Sequence, residues 1–279
     1  MRVLVAGGRG FIGTATVSAL AAAGHQPGVL EHEDDPVAVG GAGWDAMVWA
    51  AGSRRALAAD NHAEHVRAPL AALAAVAGTG GLARLVYLSS GETYGIQAVP
   101  FREVTPQLGT SSYAQAKIAG ERALAAACAA RGVALTVLRP SVAYGPGQRG
   151  PMFVPSLVQA LVTGARFPMT AGEQTRDLIH VDDVARAIIA ALAGPAGTYN
   201  VGSGSEVTMR WLAADLAARF GGDLHSRLDI GALPYRPDEQ LRYLLDSTLA
   251  AAELGWRPDI GLAGGLDQVV AAARVAVSS

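Results

Sequence analysis

Tyr113 and Lys117 stand four residues apart in Tyr113-Ala114-Gln115-Ala116-Lys117, so a helix over this stretch puts a phenol and an ammonium on one face. A hydroxyl joins them in Ser89-Ser90-Gly91-Glu92-Thr93-Tyr94-Gly95. Ser90 follows an apolar run that reads as a strand, and the carboxyl ends of parallel strands are where such sheets present reactive groups. A further signal lies near the N-terminus. Gly7-Gly8-Arg9-Gly10-Phe11-Ile12-Gly13 follows a short apolar strand and opens a helix, with Gly7, Gly10 and Gly13 in GxxGxxG spacing. Glycines there permit a tight strand-to-helix turn and let backbone N–H groups approach a pyrophosphate, while the helix N-terminus adds positive potential for that anion. Strand, glycines and helix in that order predict dinucleotide binding by Gly7, Gly10, Phe11, Ile12 and Gly13.

Elements that must position these groups are legible as alternation. Candidate strands are Val3 to Ala6, Gly28 to Glu31, Ala46 to Ala50, Leu85 to Ser89 and Leu135 to Leu138, separated by helical candidates at Thr14 to Ala23, Ala63 to Ala77 and Ser112 to Arg131. That pattern predicts an α/β fold, a doubly wound parallel sheet of Rossmann type with helices on both faces. Only thirteen residues separate Glu31 from Asp45, too few for the helix and strand normally placed there, so a trimmed sheet edge is expected. After Tyr144-Gly145-Pro146-Gly147 the alternation loosens, with isolated strand pieces at Thr198 to Val201 and Tyr243 to Leu245. The expected organisation is a cofactor-binding domain over 1–145, receiving later segments at about 176–200, and a smaller, interleaved substrate-binding lobe over 146–279.

The strand after the glycine loop ends at Glu31, where a carboxylate can hydrogen-bond adenosine ribose hydroxyls and repel a 2′-phosphate, which favours NAD. Arg9, and Arg54-Arg55 just after Trp49-Ala50-Ala51-Gly52, are the groups that could pair with the 2′-phosphate of NADP instead. Composition narrows the partners. Of 279 residues 51% are hydrophobic, and the formal net charge of −2 supplies no positive field for nucleic acid or an anionic membrane. The N-terminal apolar run meets glycines too soon for a signal-peptide core, and later apolar runs are interrupted by charge, Gly or Pro, so a cytoplasmic enzyme is expected. Cys128, in an Ala-rich helical stretch, reads as a buried structural thiol. His62 and His65, without an accompanying carboxylate or thiol, do not make a metal site.

Taken with Ser90, Tyr113 and Lys117, an ordered series of matches resembles the extended short-chain dehydrogenase/reductase family, in its NAD-dependent sugar epimerase/dehydratase branch. The series runs from Gly7 to Gly13 through Ala50-Ala51, Leu138-Arg139-Pro140, Tyr144 to Gly147, Arg176-Asp177 with Ile179 to Ala185, and Leu254-Gly255-Trp256-Arg257-Pro258. The resemblance implies hydride transfer at a carbinol or ketone carbon, with C4 of a nucleotide-linked hexose preferred. A free phenol titrates near ~10, but a nearby ammonium and a cationic nicotinamide both favour phenolate. Tyr113 then acts as acid/base, Ser90 hydrogen-bonds the same substrate oxygen, and Lys117 also holds the nicotinamide ribose. Ala50, Ala51 and Gly52 line the cofactor. Arg176 and Arg236 are expected on the substrate diphosphate, while His180 and Asp182-Asp183 fall in a segment that is mainly structural in the family. A homodimer is expected, through the helices near Ala63 to Ala77 and Ser112 to Arg131.

Departures bear on the substrate. Val142 and His65 stand where many members carry asparagine, and the trimmed region after Glu31 should leave the adenine end of the pocket more open. Glu92 matches the glutamate of the Thr-Asp-Glu or Thr-Ser-Glu segment of dehydratases, but its neighbour is Gly91, with no side chain to assist a leaving hydroxyl. Glu92 is therefore expected to orient the sugar. Epimerisation or NADPH-dependent ketone reduction is favoured over elimination, and a non-catalytic NAD(P)-sensing protein is the alternative from another class.

Overall fold

Runs of branched and aromatic side chains without polar interruption become strands because a parallel sheet covered on both faces buries every position. The computed structural model describes residues 1–32, 34, 39, 43–52, 61–221 and 227–278. Its strands are β1 (Arg2–Ala6), β2 (Gln26–Leu30), β3 (Ala46–Trp49), β4 (Arg84–Leu88), β5 (Ala134–Pro140), β6 (Val142–Tyr144), β7 (Phe167–Met169), β8 (Thr175–His180), β9 (Gly197–Val201), β10 (Glu206–Thr208) and β11 (Leu228–Ile230). Its α-helices are α1 (Phe11–Ala22), α2 (Ala68–Gly78), α3 (Ser112–Ala129), α4 (Phe153–Thr163), α5 (Val181–Ala193), α6 (Met209–Arg219), α7 (Thr248–Glu253) and α8 (Leu262–Ser278).

A six-stranded sheet has the order β2-β1-β3-β4-β5-β9, with every neighbouring pair parallel. From β1 the chain goes outward to β2 and then returns to the other side of β1 as β3. That reversal opens a crevice at the carboxyl ends of β1 and β3, where ligands of such sheets bind. One sheet face packs on α1 and α5 through residues such as Val5, Leu20, Val184 and Ile188. The other packs on α2 and α3 through Leu4, Met47, Leu73 and Leu124. A separate apolar cluster, including Leu157, Leu212 and Leu266, joins α4, α6 and α8 beside the smaller sheets.

Three local features depart from, or add to, the sequence expectations. Among the described residues β2 is the sheet edge, as the short Glu31–Asp45 interval requires; Trp44 covers it by packing its ring on Gly28, and Pro27 has no ladder donor to expose. The helix expected over 63–77 is divided into a π-helical turn, Ala63–Arg67, and α2. Pro69 explains the division: it has no N–H for the carbonyl of His65, and its ring crowds that carbonyl. Tyr87 donates its hydroxyl to the His65 oxygen instead, at 3.1 Å. The strand expected at Tyr243 to Leu245 is not formed, and only an isolated bridge pairs Leu245 with Phe101. Asp177 N donates to Tyr243 O at 2.9 Å, but the Leu245 N–H goes to the Asp177 carboxylate at 3.2 Å, so no ladder propagates.

Candidate active site

The glycine loop is set by backbone sterics. Gly7 has φ +74, and a Cβ there would lie 2.7 Å from Ala51 Cα, so the turn needs glycine both for its conformation and for its contact with the end of β3. A Cβ on Gly13 would overlap the Gly7 carbonyl and come 2.8 Å from Gly8 Cα. The loop is closed by Gly10 N donating to Gly7 O at 3.0 Å. Gly10 caps α1 without a side-chain hydrogen bond, and the first turn of α1 holds no acid. This cradle fits a pyrophosphate: backbone donors at a helix N-terminus, with the side-chain space around them removed. Glu31 stands beside it and accepts from Arg9 N at 2.8 Å. Phe11, Ile12, Ala50 and Ala51 are half-buried around the loop and Gly52 is exposed. Arg54 and Arg55 lie outside the described residues.

Two elements bring the acid/base candidates to the sheet edge. Ser90 follows the end of β4 and caps the 3-10 turn Gly91–Tyr94 by accepting from Glu92 N at 3.1 Å. Tyr113 lies in the first turn of α3, where Ser111 accepts from Ala114 N at 3.1 Å. One turn on, Lys117 is 3% exposed, and its Nζ donates to Leu88 O at 2.6 Å. It lies 5.8 Å from the Tyr113 ring centroid. Lys117 therefore ties the helix bearing Tyr113 to the end of β4, two residues before Ser90. Burial lowers the Lys117 pKa to about 7, while the Glu121 and Glu64 carboxylates act in the opposite direction. The buried ring of His65 packs edge-on against the Tyr113 ring at 5.2 Å.

Behind this pair lies a buried network that joins the motif residues Ser89, Tyr94 and Arg139 through Glu121, which no motif singled out. Arg139 on β5 grips Glu121 on α3 with Nε at 3.0 Å and Nη2 at 2.6 Å. The same carboxylate accepts from the hydroxyl of Ser89 and from Gln107 Nε2 at 2.9 Å. Arg139 also donates to Tyr94 OH at 3.0 Å, and Tyr94 donates to Asn200 Oδ1 at 2.7 Å. Burial opposes the charge on the guanidinium, but the hydrogen bonds and negative charge of the Glu121 carboxylate outweigh it and hold Arg139 firmly charged. An available signal was the charged Arg139 inside an apolar strand, since a buried charge must find a partner.

Of the residues expected on the substrate, Glu92 is half-buried beside Ser90. Arg176, on β8, is already engaged: it donates to Thr175 O at 2.7 Å and to Gln240 O at 2.8 Å, and it pairs with Glu239. Arg236 is exposed in the turn that carries Glu239. Gln240 links that turn to the loop after the 91–94 turn by donating to Gln97 O at 3.1 Å. His180 is a cap residue of α5; its Nδ1 accepts from Asp182 N at 3.3 Å, and burial lowers its pKa. Among the described residues no group of three or more His, Cys, Asp or Glu side chains could hold a metal ion. Cys128 is buried in the core of the α2/α3 face, and no described helix is long and apolar enough to cross a membrane.

Residues 3–202 match the family model described as NAD dependent epimerase/dehydratase family. A dTDP-glucose 4,6-dehydratase of Streptomyces niveus is 33% identical over 178 residues, 62% of this chain and 52% of that protein. The chain thus spans about half the length of the curated relatives it matches. Among solved structures, the UDP-glucose 4-epimerase of Thermotoga maritima with UDP-glucose has a TM-score of 0.90 at 25% identity, covering 99% of this chain and 100% of that one. A dTDP-glucose 4,6-dehydratase of Streptomyces venezuelae with NAD bound gives 0.88 at 27% identity, covering 99% and 97%.

Proposed function

Because this chain belongs to the NAD dependent epimerase/dehydratase family, we propose that it is an NAD-dependent enzyme transferring hydride at a carbinol or ketone carbon, C4, of a nucleotide-linked hexose. The observation that supports this reading is Lys117, one turn after Tyr113 on α3, buried and bonded to Leu88 O at the end of β4, two residues before Ser90. In the oxidative direction the carbinol O–H proton passes to the Tyr113 oxygen as the C–H bond yields its hydride. Ser90 hydrogen-bonds the same oxygen and steadies its developing charge. The Lys117 ammonium favours phenolate on Tyr113 and orients ribose hydroxyls. The glycine loop with the α1 N-terminus would hold the pyrophosphate, and Glu31 would hold the adenosine ribose. A bound nicotinamide would supply the hydride acceptor and donor.

Substrate phosphates fall to Arg176 and Arg236. Arg176 must exchange part of its ion pair with Glu239 for the ligand, so the Arg236–Gln240 turn moves with substrate. Glu92 orients the sugar. Gly91 leaves no side chain to assist a departing hydroxyl, so epimerisation is favoured over elimination. The test incubates the purified protein with UDP-, GDP- and dTDP-hexoses and follows the products by NMR and mass spectrometry. The expected product is a C4 epimer formed with NAD retained by the protein. A 4-keto-6-deoxy sugar, 18 mass units lighter, would place the enzyme with the dehydratases, whereas turnover requiring stoichiometric NADPH would make it a ketoreductase.

Glu31 sets cofactor choice. A 2′-phosphate would meet its carboxylate and lose a ribose hydrogen bond to a charged acceptor, about 1.5 kcal/mol or more. NAD(H) should therefore bind roughly tenfold or more tightly than NADP(H). Comparing the two dissociation constants, in wild type and in Glu31→Ser, checks this; tighter NADP(H) binding by wild type would hand the choice to the arginines.

The outward faces of α2 and α3 carry small residues, Ala68, Ala71 and Ala74 on one helix and Ala125 and Ala129 on the other. Close packing of two such helix pairs about a two-fold axis supports a homodimer. Light scattering at micromolar concentration should give twice the chain mass, and a monomeric mass would remove the dimer. The single cysteine, a buried thiol with no partner for a disulfide in this chain, supports a cytoplasmic location.

A further inference from the structure

Gly91 sits between Ser90 and Glu92 on the turn after β4, and the space a side chain would need there is already filled. A Cβ built on Gly91 overlaps the hydroxyl oxygen of Tyr243 and lies 3.2 Å from both Tyr243 Cζ and Leu245 Cδ2. Tyr243 is not free to swing aside. It is 8% exposed, its ring meets Phe101 edge-on at 5.8 Å, and its carbonyl accepts from Asp177 N at 2.9 Å. The chain therefore delivers a hydroxyl to this turn from 152 positions further along the sequence, at the place where residue 91 would otherwise put its own side chain.

We infer that Tyr243 is a specificity-determining residue: its hydroxyl takes the place of a side chain at position 91 and hydrogen-bonds a hydroxyl of the sugar held beside Ser90 and Glu92. This rests on the proposed reading of that turn as substrate-facing. A neutral phenol both donates and accepts, so it suits recognition of a sugar hydroxyl. Because its oxygen arrives on a rigid ring packed in the Tyr94–Phe101–Leu245 cluster, little conformational freedom is lost on binding. Glycine at 91 and tyrosine at 243 form one unit, since a larger residue at 91 and the phenol at 243 cannot share the site.

The pair predicts a reciprocal mutant cycle. Gly91→Ser alone places Cβ onto the Tyr243 oxygen and should lower the thermal midpoint. In Tyr243→Phe/Gly91→Ser the nearest ring atom is Cζ at 3.2 Å, so the midpoint should return toward wild type and the serine should restore a hydroxyl to the turn. Tyr243→Phe alone should weaken kcat/KM for the preferred nucleotide hexose by roughly tenfold. For the 2-, 3- or 6-deoxy analogue that lacks the recognised hydroxyl, the same variant should change little. Equal losses with every analogue, no loss with any, or a double variant no more stable than Gly91→Ser would each overturn the assignment. If wild-type protein bound no UDP-, GDP- or dTDP-hexose by thermal shift in the presence of NAD, the substrate reading itself would fall. Binding by wild type with unchanged discrimination in Tyr243→Phe would remove only the role of Tyr243.

Discussion

Tyr113→Phe is expected to lower turnover by roughly 10²-fold or more while NAD still binds. In the proposed mechanism the phenol carries the proton at the substrate oxygen. Ser90 is a hydroxyl already accepting from Glu92 N, and Lys117 is directed to Leu88 O. Removing one oxygen leaves the edge-on ring contact with His65, the α3 cap at Ser111 and the glycine loop unchanged, so the variant should fold and hold cofactor normally. The measurement pairs steady-state turnover on the preferred nucleotide hexose with the NAD dissociation constant. Near-normal turnover would sink the assignment, and a parallel loss of cofactor affinity would show that the ring had moved. Because burial lowers the Lys117 pKa to about 7, the unliganded enzyme holds a mixture of ammonium and amine near neutrality. Ribose hydroxyls and a phenolate both favour the ammonium, so cofactor affinity should weaken as pH rises through that region.

The second large effect is on stability. Glu121→Ala leaves the Arg139 guanidinium, 5% exposed, without its carboxylate, and stranding a buried charge typically costs about 3–5 kcal/mol. The expected result is a large fall in the urea midpoint with little change in slope. Replacing both partners, Glu121→Leu/Arg139→Leu, should cost less than the single change, because an apolar pair strands no charge. A single variant as stable as wild type would show that water or another acceptor reaches Arg139. The network also explains why the elements bearing the proposed catalytic residues are held together. Glu121 lies one turn beyond Lys117 on α3, and the carboxylate that pairs with Arg139 on β5 also takes the Ser89 hydroxyl next to Ser90, so one side chain fastens the helix to β5 and to the end of β4.

What the sequence determined by itself was everything governed by short spacing. The Gly7–Gly13 loop is local because strand, turn and helix N-terminus are contiguous, and its glycines are demanded by atoms within a few residues or on the adjoining strand. Tyr113 and Lys117 share a face through helical periodicity alone. The trimmed edge at β2 followed from counting the residues between Glu31 and Asp45, since no chain can build a helix and strand in so few. Pro69 was equally visible, but its effect needed Tyr87, which supplies the donor that the proline lacks.

Tertiary structure alone decided which distant groups meet. Arg139 reaches Glu121, Asp177 captures the Leu245 N–H that a strand would have used, Glu239 takes Arg176, and Tyr243 fills the side-chain space of Gly91. These partners are separated by 18 to 152 positions, and local periodicity carries no information across such distances. The physical reason is common to them all: a buried charge, polar group or void must be satisfied, but the partner that satisfies it is chosen by the packing of whole elements.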